Sequence, residues 1–324
     1  SDYKILMRIL TARMNDAVVQ FVSPAQNGFV PDSFIAENLI RLQLLQDLIE
    51  STDQNAVFLF IDMEKAFDRC SWQFITEGLE ALGFGEGFIN FVKLAYSHDT
   101  PPERQMYVNG YLGPKFSIGS GVAQGCPISP LLFLVIAEPL ARLINTHKHI
   151  QGIKGFKLSH GISQFADDTT LMMLLSDVGH VLATLKIWQR ATSMKENADK
   201  REIVLIGRRL RLNPNLAPPE LFNAGSLKPT PEGETIKALG VPFGSSFSNS
   251  DWWDKKYREV KARVGHWTGL SRLSLVGRNI LLQSILYGSL RYWLFTLPYP
   301  EALAMMVESD AHVLLWAAAP VLNS

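Results

Sequence analysis

Two adjacent carboxylates, Asp167 and Asp168, interrupt an otherwise apolar and β-branched run, GISQFADDTTLMMLL, at residues 161–175. The flanking segments ISQF and TTLMML both have the composition of strands, which predicts a β-hairpin with the pair at its tip. An isolated pair of carboxylates repels itself and resists leaving water. Two interpretations stay open: an ordinary hairpin turn, or a turn that holds a divalent cation whose charge removes the repulsion.

A third carboxylate, Asp62, comes directly after the continuously apolar residues 57–61. Such a run predicts a strand buried on both faces. Because side chains alternate along a strand, Asp62 shares a face with Phe58 and Phe60 and projects at the strand's end. An unpaired carboxylate there would be costly, and a metal ion shared with the hairpin pair would offset that cost.

Three carboxylates from two strands suit a two-metal site, in which ions ~3.5–4 Å apart bind the attacking and leaving oxygens of a phosphoryl transfer. The spacing alone does not separate a polymerase from a nuclease or a phosphatase. The sequence therefore predicts phosphoryl-transfer chemistry, with the reaction left open.

Composition limits the class of protein. The chain has 324 residues, 47% hydrophobic and 19% charged, which is typical of a globular protein with two or three subdomains. Cys70 and Cys126 lack the spacing of a zinc site and are expected to be free buried thiols in a reducing, intracellular compartment. The longest apolar run, 131–137, falls well below the ~20 residues that span a bilayer, so no membrane partner is expected. The start at Ser1, inside a helical pattern, indicates a piece of a longer polypeptide.

Charge is balanced overall, with 31 basic and 31 acidic residues, which by itself argues mildly against a nucleic-acid partner. Between residues 251 and 291, however, eight basic and three acidic residues are interleaved with aromatic ones, a pattern suited to tracking a phosphate backbone. The alternative is amphipathic helices with basic outer faces and aromatic cores, and both can hold. The basic residues are Lys255, Lys256, Arg258, Lys261, Arg263, Arg272, Arg278 and Arg291, and the aromatic ones are Trp252, Trp253, Tyr257, Trp267 and Tyr287.

Apolar spacing predicts helices over 3–21 and 33–51, and helical pieces broken by glycines over 79–97. A hairpin is expected over 105–118, with Asn109–Gly110 as its turn.

A loop-to-helix transition is expected at GVAQGCPISP, where Ser129 is placed to cap a helix that has Pro130 at its first position. The turn at Gly125 lets backbone approach a flat or charged ligand, and Gln124 supplies an amide there. Taken alone, this turn is weak evidence for a binding site.

Seven blocks follow one another along the chain: QNGFVPDSFIAENL, FLFIDMEKAFD, GVAQGCPISPLLF, FADD, ATSMKENADK, ALG and LSLVGR. In this order they resemble the reverse transcriptase of non-LTR (LINE-type) retrotransposons, over nearly the whole chain. The resemblance implies an α+β right-hand polymerase with fingers, a palm built on an antiparallel sheet, and a helical thumb. Its implied limits are 1–55 for the N-terminally incomplete fingers, 56–245 for the palm, with 79–120 partly contributing to the fingers, and 246–324 for the incomplete thumb.

The resemblance also implies an RNA-directed DNA polymerase that adds deoxynucleoside triphosphates to the 3′-hydroxyl of a DNA primer on an RNA template. Two Mg²⁺ ions, with Mn²⁺ as a possible substitute, are the implied cofactors. It further implies part of a longer retroelement polyprotein, in a nuclear or cytoplasmic ribonucleoprotein.

Residue by residue, the resemblance makes Asp62, Asp167 and Asp168 metal ligands and catalytic residues. Lys200 matches a candidate proton donor to pyrophosphate, with a solvated surface lysine as the alternative. Phe67 matches a bulky steric gate whose ring fills the space that a ribose 2′-hydroxyl needs. The implied nucleotide-binding residues are Met63, Phe67, Gln124, Gly125 and Ser33.

Two positions depart from the family pattern. Ser33 stands where an arginine is expected to reach the triphosphate, and Ser193 stands where glycine is common. Ser33 and the truncated start favour one rival function, a decayed element that folds and binds RNA without catalysis. A second rival also stays open, a metal-dependent phosphatase or nuclease that uses the same carboxylates.

Overall fold

A computed structural model describes residues 2–99, 101–155, 158–225, 228–268 and 273–316. The chain divides into two compact units, residues 1–230 and 231–324. This boundary lies inside the range 56–245 expected for the palm, so residues 231–245 belong to the second unit.

The first unit combines helices with antiparallel strands. Its α-helices are α1 (Asp2–Phe21), α2 (Ala36–Ser51), α3 (Trp72–Ala81), α4 (Glu86–Lys93), α5 (Ser129–Thr146), α6 (Val178–Thr192) and α7 (Arg208–Leu212). Its strands are β1 (Ala56–Ile61), β2 (Glu103–Val108), β3 (Tyr111–Ser117), β4 (Ile153–Gly155), β5 (Leu158–His160), β6 (Ile162–Phe165), β7 (Asp168–Leu174) and β8 (Glu202–Ile206). Short 3₁₀ helices cover Ala66–Arg69, Ala198–Lys200, Pro214–Leu216 and Pro219–Gly225.

The central sheet has four antiparallel strands in the order β6-β7-β1-β8. The predicted buried strand is confirmed, because β1 pairs on both sides and nearly all of its AVFLFI side chains are buried. The hairpin predicted around the two aspartates is also confirmed as β6–β7. Both candidate segments therefore lie on neighbouring strands of one sheet.

The most buried helix of this unit is α5, which packs against α1, α3, α6 and β6. Trp72 and Trp188 are almost fully buried, and their indole N–H groups donate to Gly121 O at 2.7 Å and Ile136 O at 2.8 Å. Among the described residues, α5 is also the one helix long and apolar enough to cross a membrane, and most of it is buried inside the protein.

The two N-terminal helices are confirmed, although α2 begins at Ala36 rather than at residue 33. The delay has a local cause, since Asp32 has φ +61° and Ser33 N–H donates to Val30 O at 3.3 Å in a turn. The glycine-broken helical segment is confirmed as α3 and α4, and the hairpin at Asn109–Gly110 as β2–β3.

The predicted capping role of Ser129 is wrong, because Ser129 is itself the first residue of α5 and no side chain caps the helix. Its buried hydroxyl instead donates to Ala123 O at 2.8 Å and forms a hydrogen bond with the Tyr96 hydroxyl at 3.2 Å. Cys70 and Cys126 are free and buried, as expected.

The second unit contains the hairpin β9 (Ile236–Ala238) and β10 (Val241–Phe243), then α8 (Asn249–Thr268), α9 (Leu275–Leu281), a π-helix (Leu282–Tyr287), α10 (Gly288–Leu294) and α11 (Glu301–Trp316). Along α8, Trp253 and Tyr257 are buried, whereas Lys255, Arg258, Lys261 and Arg263 are exposed. Two of the predicted aromatics are thus core residues beneath a basic outer face. Arg272 lies outside the described residues.

Candidate active site

Asp62 lies at the end of β1, where the register of the sheet places it opposite Asp168. Ile61 pairs with Thr169 across the β1–β7 ladder, so the next position brings the two carboxyl-bearing residues to the same end of neighbouring strands. The backbone O of Asp62 accepts from Asn197 N at 2.8 Å, and Met63 forms a bridge with Glu196. Backbone hydrogen bonds therefore fix the Asp62 segment.

The β6–β7 hairpin has a two-residue turn, because Phe165 pairs with Asp168 and leaves Ala166 and Asp167 between them. Ala166 is buried and has φ +56°, a left-handed conformation that usually requires glycine at the first turn position. This strained residue directly precedes Asp167.

The surroundings of Asp167 and Asp168 disfavour the charged form of both carboxylates. Burial, followed by the negative charge of Asp62, raises the pKa of Asp167 above its ordinary value. Asp168 is exposed as a residue, yet partial desolvation of its carboxylate, followed by the charges of Asp167 and Asp62, raises its pKa to about 6. The three groups thus lie close enough to repel one another.

Lys200 provides a positive charge at this site. Its Nζ donates to Asp62 Oδ2 at 3.0 Å, and 64% of its side chain is exposed, compared with 39% for Asp62. The residue predicted as a proton donor is therefore brought into contact with a predicted metal ligand, and it is also a solvated lysine.

A cavity of about 390 Å³ opens beside these groups. Six of the residues predicted from the sequence line it: Asp62, Met63, Phe67, Gln124, Asp167 and Lys200. Asp168, Gly125 and Ser33 are not among the lining residues. The structure thus brings most of the predicted site residues together around one open cavity.

Phe67 is held by other rings at the wall of this cavity. Its ring stacks on that of Phe133 with centroids 5.1 Å apart, and the edge of Phe29 approaches with a centroid distance of 6.1 Å. Its backbone O accepts from Val122 N at 2.7 Å. Phe67 is therefore a positioned ring, which a steric gate requires.

Gly125 and Ser33 lie outside the lining of the cavity. Gly125 has φ +77°, and a Cβ built there would have no heavy-atom neighbour within 4 Å among the groups around it, so the backbone is accessible at this turn. Ser33 is half-buried in the turn before α2. Phe29, in the same loop, contacts the ring of Phe67 at the cavity wall.

Three further residues contribute to the site without having been predicted from the sequence. Asn197 lines the cavity and binds the Asp62 backbone, and its position inside ATSMKENADK was the available signal. Gln26 and Gly28 contact the backbone of Ala166. No local pattern in QNGF indicates this contact, because the loop and the hairpin lie far apart in sequence.

The donor set suits Mg²⁺, which prefers carboxylate oxygens. In the part of the chain that the structure describes, no three or more His, Cys, Asp or Glu side chains are arranged so that they could hold a metal ion. Asp62 instead faces Lys200. Burial, followed by the negative charge of neighbouring carboxylates, raises the pKa of Asp167 and Asp168, and a bound cation would offset both effects.

Comparison with known protein families yields one match that covers most of the chain. A family described as "Reverse transcriptase (RNA-dependent DNA polymerase)" matches residues 1–243.

The chain is similar to proteins of retrotransposable elements. It is 26% identical over 321 residues to the "Transposon TX1 uncharacterized 149 kDa protein" of Xenopus laevis, a match that covers 98% of this chain and 24% of that protein. It is 32% identical over 209 residues to a "Retrovirus-related Pol polyprotein from type-1 retrotransposable element R2" of Popillia japonica, covering 61% of this chain and 27% of the relative. The chain thus spans about a quarter of the length of these relatives.

Solved structures similar to the chain include apo telomerase of Candida tropicalis, with a TM-score of 0.43 and 12% identity over 61% of this chain and 40% of that one. Telomerase of Candida albicans matches with a TM-score of 0.39 and 12% identity over 97% of this chain and 50% of that one.

Proposed function

This chain belongs to the reverse transcriptase family, and from that membership we propose that it adds deoxynucleotides to a primer 3′-hydroxyl at the cavity beside Asp62 and Asp167. It is a reverse transcriptase domain of the retrotransposon type, as the resemblance implied. The α+β right-hand polymerase class is confirmed by the family match together with the antiparallel central sheet. The limits of fingers, palm and thumb given above stay a proposal.

One observation carries the proposed site. Asp62 and the Asp167–Asp168 pair lie at the same end of the adjacent strands β1 and β7, beside a cavity that Phe67, Gln124 and Lys200 also line. A phosphatase or nuclease would account for the carboxylates but not for the ring and the amide beside them. The family match also favours the polymerase over these two rivals.

We propose that Asp62, Asp167 and Asp168 hold two Mg²⁺ ions, for which Mn²⁺ could substitute. When bound, such ions supply Lewis-acid stabilisation of the attacking and leaving oxygens of phosphoryl transfer. The carboxylates contribute the negative charge that binds them. Lys200 donates to Asp62 in this structure, and if a cation occupied that carboxylate its ammonium group would be free to donate a proton to the departing pyrophosphate.

The uncharged lining residues select and orient the nucleotide. The Phe67 ring, supported by Phe133, occupies the space beside the sugar and excludes a 2′-hydroxyl. Gln124 presents an exposed amide to the cavity, and the accessible backbone at Gly125 allows a base or template strand to approach closely. Met63 forms part of the buried floor.

The proposed partners are an RNA template, a DNA primer and deoxynucleoside triphosphates. The exposed basic face of α8 supports nucleic-acid binding by the second unit, because lysine and arginine there can neutralise phosphates. The matched relatives include Pol polyproteins, so we also propose that this chain is part of a longer polyprotein in a nuclear or cytoplasmic ribonucleoprotein.

Primer extension on poly(rA)/oligo(dT) with Mg²⁺ or Mn²⁺ tests the proposal. The wild type is expected to extend the primer and Asp167→Ala to lose extension while remaining folded. Asp199→Ala, an exposed change in the nearby Ala198–Lys200 helix, is the matched control and should keep activity. Extension by Asp167→Ala would remove the site assignment, and a folded wild type that binds RNA without extension would favour the decayed element.

A further inference from the structure

The side chain of Gln26 forms hydrogen bonds with both backbone groups of Ala166, the residue immediately before Asp167. Gln26 is 2% exposed. Its Oε1 accepts from Ala166 N at 2.9 Å and its Nε2 donates to Ala166 O at 3.2 Å. The same Oε1 accepts from Gly28 N at 2.7 Å, which fixes the amide in place. One side chain thus satisfies both backbone groups of the first turn residue.

The backbone on either side of Gln26 is also joined to the hairpin. Gln164 N donates to Ala25 O at 2.7 Å, and Asn27 N donates to Gln164 O at 3.0 Å. Gly28 packs so closely against the turn that a Cβ added there would lie 2.1 Å from Ala166 N. The loop therefore extends the edge of β6 as a short strand-like segment.

Ala166 needs such a support. Its φ of +56° brings the Cβ too close to the backbone, and non-glycine residues keep such conformations only where their surroundings enforce them. The Gln26 amide supplies that enforcement through a donor and an acceptor on one rigid group. A glutamate would lose the donor and a methionine would lose both.

We propose that Gln26 is a positioning residue for the metal-binding carboxylate of Asp167, acting by holding Ala166 in its left-handed conformation. Where the turn relaxes, the direction in which Asp167 leaves the backbone changes, and the carboxylate no longer lies beside Asp62. The effect on catalysis rests on the proposed function, whereas the conformational effect does not.

The test uses Gln26→Met in the full chain, with Asn38→Ala as the matched control. Asn38 is buried and its Nδ2 donates to Gln164 O at 2.7 Å, so the control also loosens β6 but leaves Ala166 held. Three quantities are measured: hydrogen exchange of the peptide that contains Ala166, the Mg²⁺ concentration that half-saturates the rise in unfolding temperature, and kcat and KM for deoxynucleotide.

For Gln26→Met we expect faster exchange at Ala166, an increase of about 10–100-fold in the half-saturating Mg²⁺ concentration, and a matching loss of kcat. The deoxynucleotide KM should change little, since Gln26 does not line the cavity. Asn38→Ala should leave the Mg²⁺ requirement close to that of the wild type.

Ala166→Gly, added as a second substitution, tests the proposed mechanism directly, because glycine adopts positive φ without support. Added to Gln26→Met, it should restore Mg²⁺ binding and kcat toward the values of Ala166→Gly alone. Equal Mg²⁺ requirements in Gln26→Met and the wild type would contradict the positioning role. So would a failure of Ala166→Gly to restore Mg²⁺ binding and kcat, and Gln26 would then have only a structural role. If Gln26→Met does not fold, Gln26→Asn, which keeps the amide on a shorter side chain, carries the same measurements.

The two proposals fail in different ways. An inactive wild type whose Mg²⁺ binding still depends on Gln26 would contradict the proposed function alone. An active wild type whose metal requirement is insensitive to Gln26 would contradict this inference alone.

Discussion

Lys200 Nζ donates to Asp62 Oδ2 at 3.0 Å, which joins two residues that are 138 positions apart in the sequence. Both side chains are partly exposed, so the contact contributes at most about 1 kcal/mol to stability. A cation of higher charge can therefore displace the ammonium group at little cost. Under the proposed function, the pair would connect metal binding at Asp62 to the release of a proton donor.

Lys200→Ala should lower kcat by about 100-fold or more if Lys200 is the general acid, while reducing the Mg²⁺ concentration needed for half-maximal activity. The second effect follows because the variant removes a cation that competes for Asp62. Single-nucleotide incorporation across a Mg²⁺ titration measures both effects. Lys195→Ala is the matched control, since Lys195 makes a similar exposed ion pair with Glu64 at 3.2 Å. Equal kcat values in the two variants would make Lys200 an ordinary surface lysine.

The stability of the metal-free protein should depend on pH through Asp168. Its pKa is raised from 3.8 to about 6, so the folded state favours the neutral carboxyl. The stabilisation that comes from this preference is complete below about pH 4 and is lost as the pH rises through 6. Asp168→Asn, which is neutral throughout, should therefore be more stable than the wild type at pH 7, with an advantage that shrinks toward pH 4.

Urea unfolding in EDTA between pH 4 and 7 measures this difference. Asp199→Asn controls for the loss of one surface negative charge. An Asp168→Asn advantage that does not vary with pH would show that neither burial nor the neighbouring carboxylates raise the pKa of Asp168 in the folded protein.

Phe67→Ala should raise ribonucleotide incorporation relative to deoxynucleotide incorporation by roughly 10- to 100-fold, because steric exclusion disappears with the ring. Stability should also fall by about 0.5–1.5 kcal/mol or more, since the stacked contact with Phe133 is lost. The measurement is kcat/KM for matched ribo- and deoxynucleotides. Phe29→Ala removes a ring that touches Phe67 without being among the cavity-lining residues, and its ratio should stay near that of the wild type.

The sheet that carries the carboxylates was predictable because its signals are local. A continuous apolar run ending in Asp62, and two β-branched segments around an aspartate pair, specify a central strand and a hairpin without knowledge of the rest of the chain. Strand alternation then places Asp62 on the aromatic face at the strand's end.

The contacts that complete the site were not predictable, because they join residues distant in sequence. The Gln26–Ala166 and Lys200–Asp62 pairs depend on how loops pack against the sheet, which no periodicity encodes. Ser129 shows the opposite case, since its capping pattern was present but its hydroxyl donates to the backbone carbonyl of Ala123 instead. Local propensity decides elements, and tertiary hydrogen bonds decide which polar groups they use.

Ser193→Gly should stabilise the protein by about 0.5–1 kcal/mol. Ser193 follows the last residue of α6 and has φ +63°, the left-handed conformation in which glycine avoids the Cβ clash. Part of the gain is offset by the greater entropy of glycine in the unfolded chain. Chemical unfolding of Ser193→Gly and Ser193→Ala measures the effect, since alanine keeps the Cβ and should give no gain. Equal stabilities for these two variants would show that the Cβ is not strained.

Ser33→Arg should lower the deoxynucleotide KM by about 10-fold, if one charge-assisted bond to the triphosphate is only partly realised. The loop that carries Ser33 also carries Phe29, which contacts Phe67 at the cavity wall. Ser33 is not among the lining residues, so the prediction requires the longer arginine side chain to reach the cavity. Asp32 has φ +61°, so Asp32→Gly combined with Ser33→Arg should lower KM further by relieving strain and removing a negative charge. Ser33→Lys should give a smaller gain, because a lysine cannot bind phosphate in a bidentate manner. Steady-state single-nucleotide incorporation measures KM for all four proteins, and values that agree within error would show that this loop does not face the triphosphate.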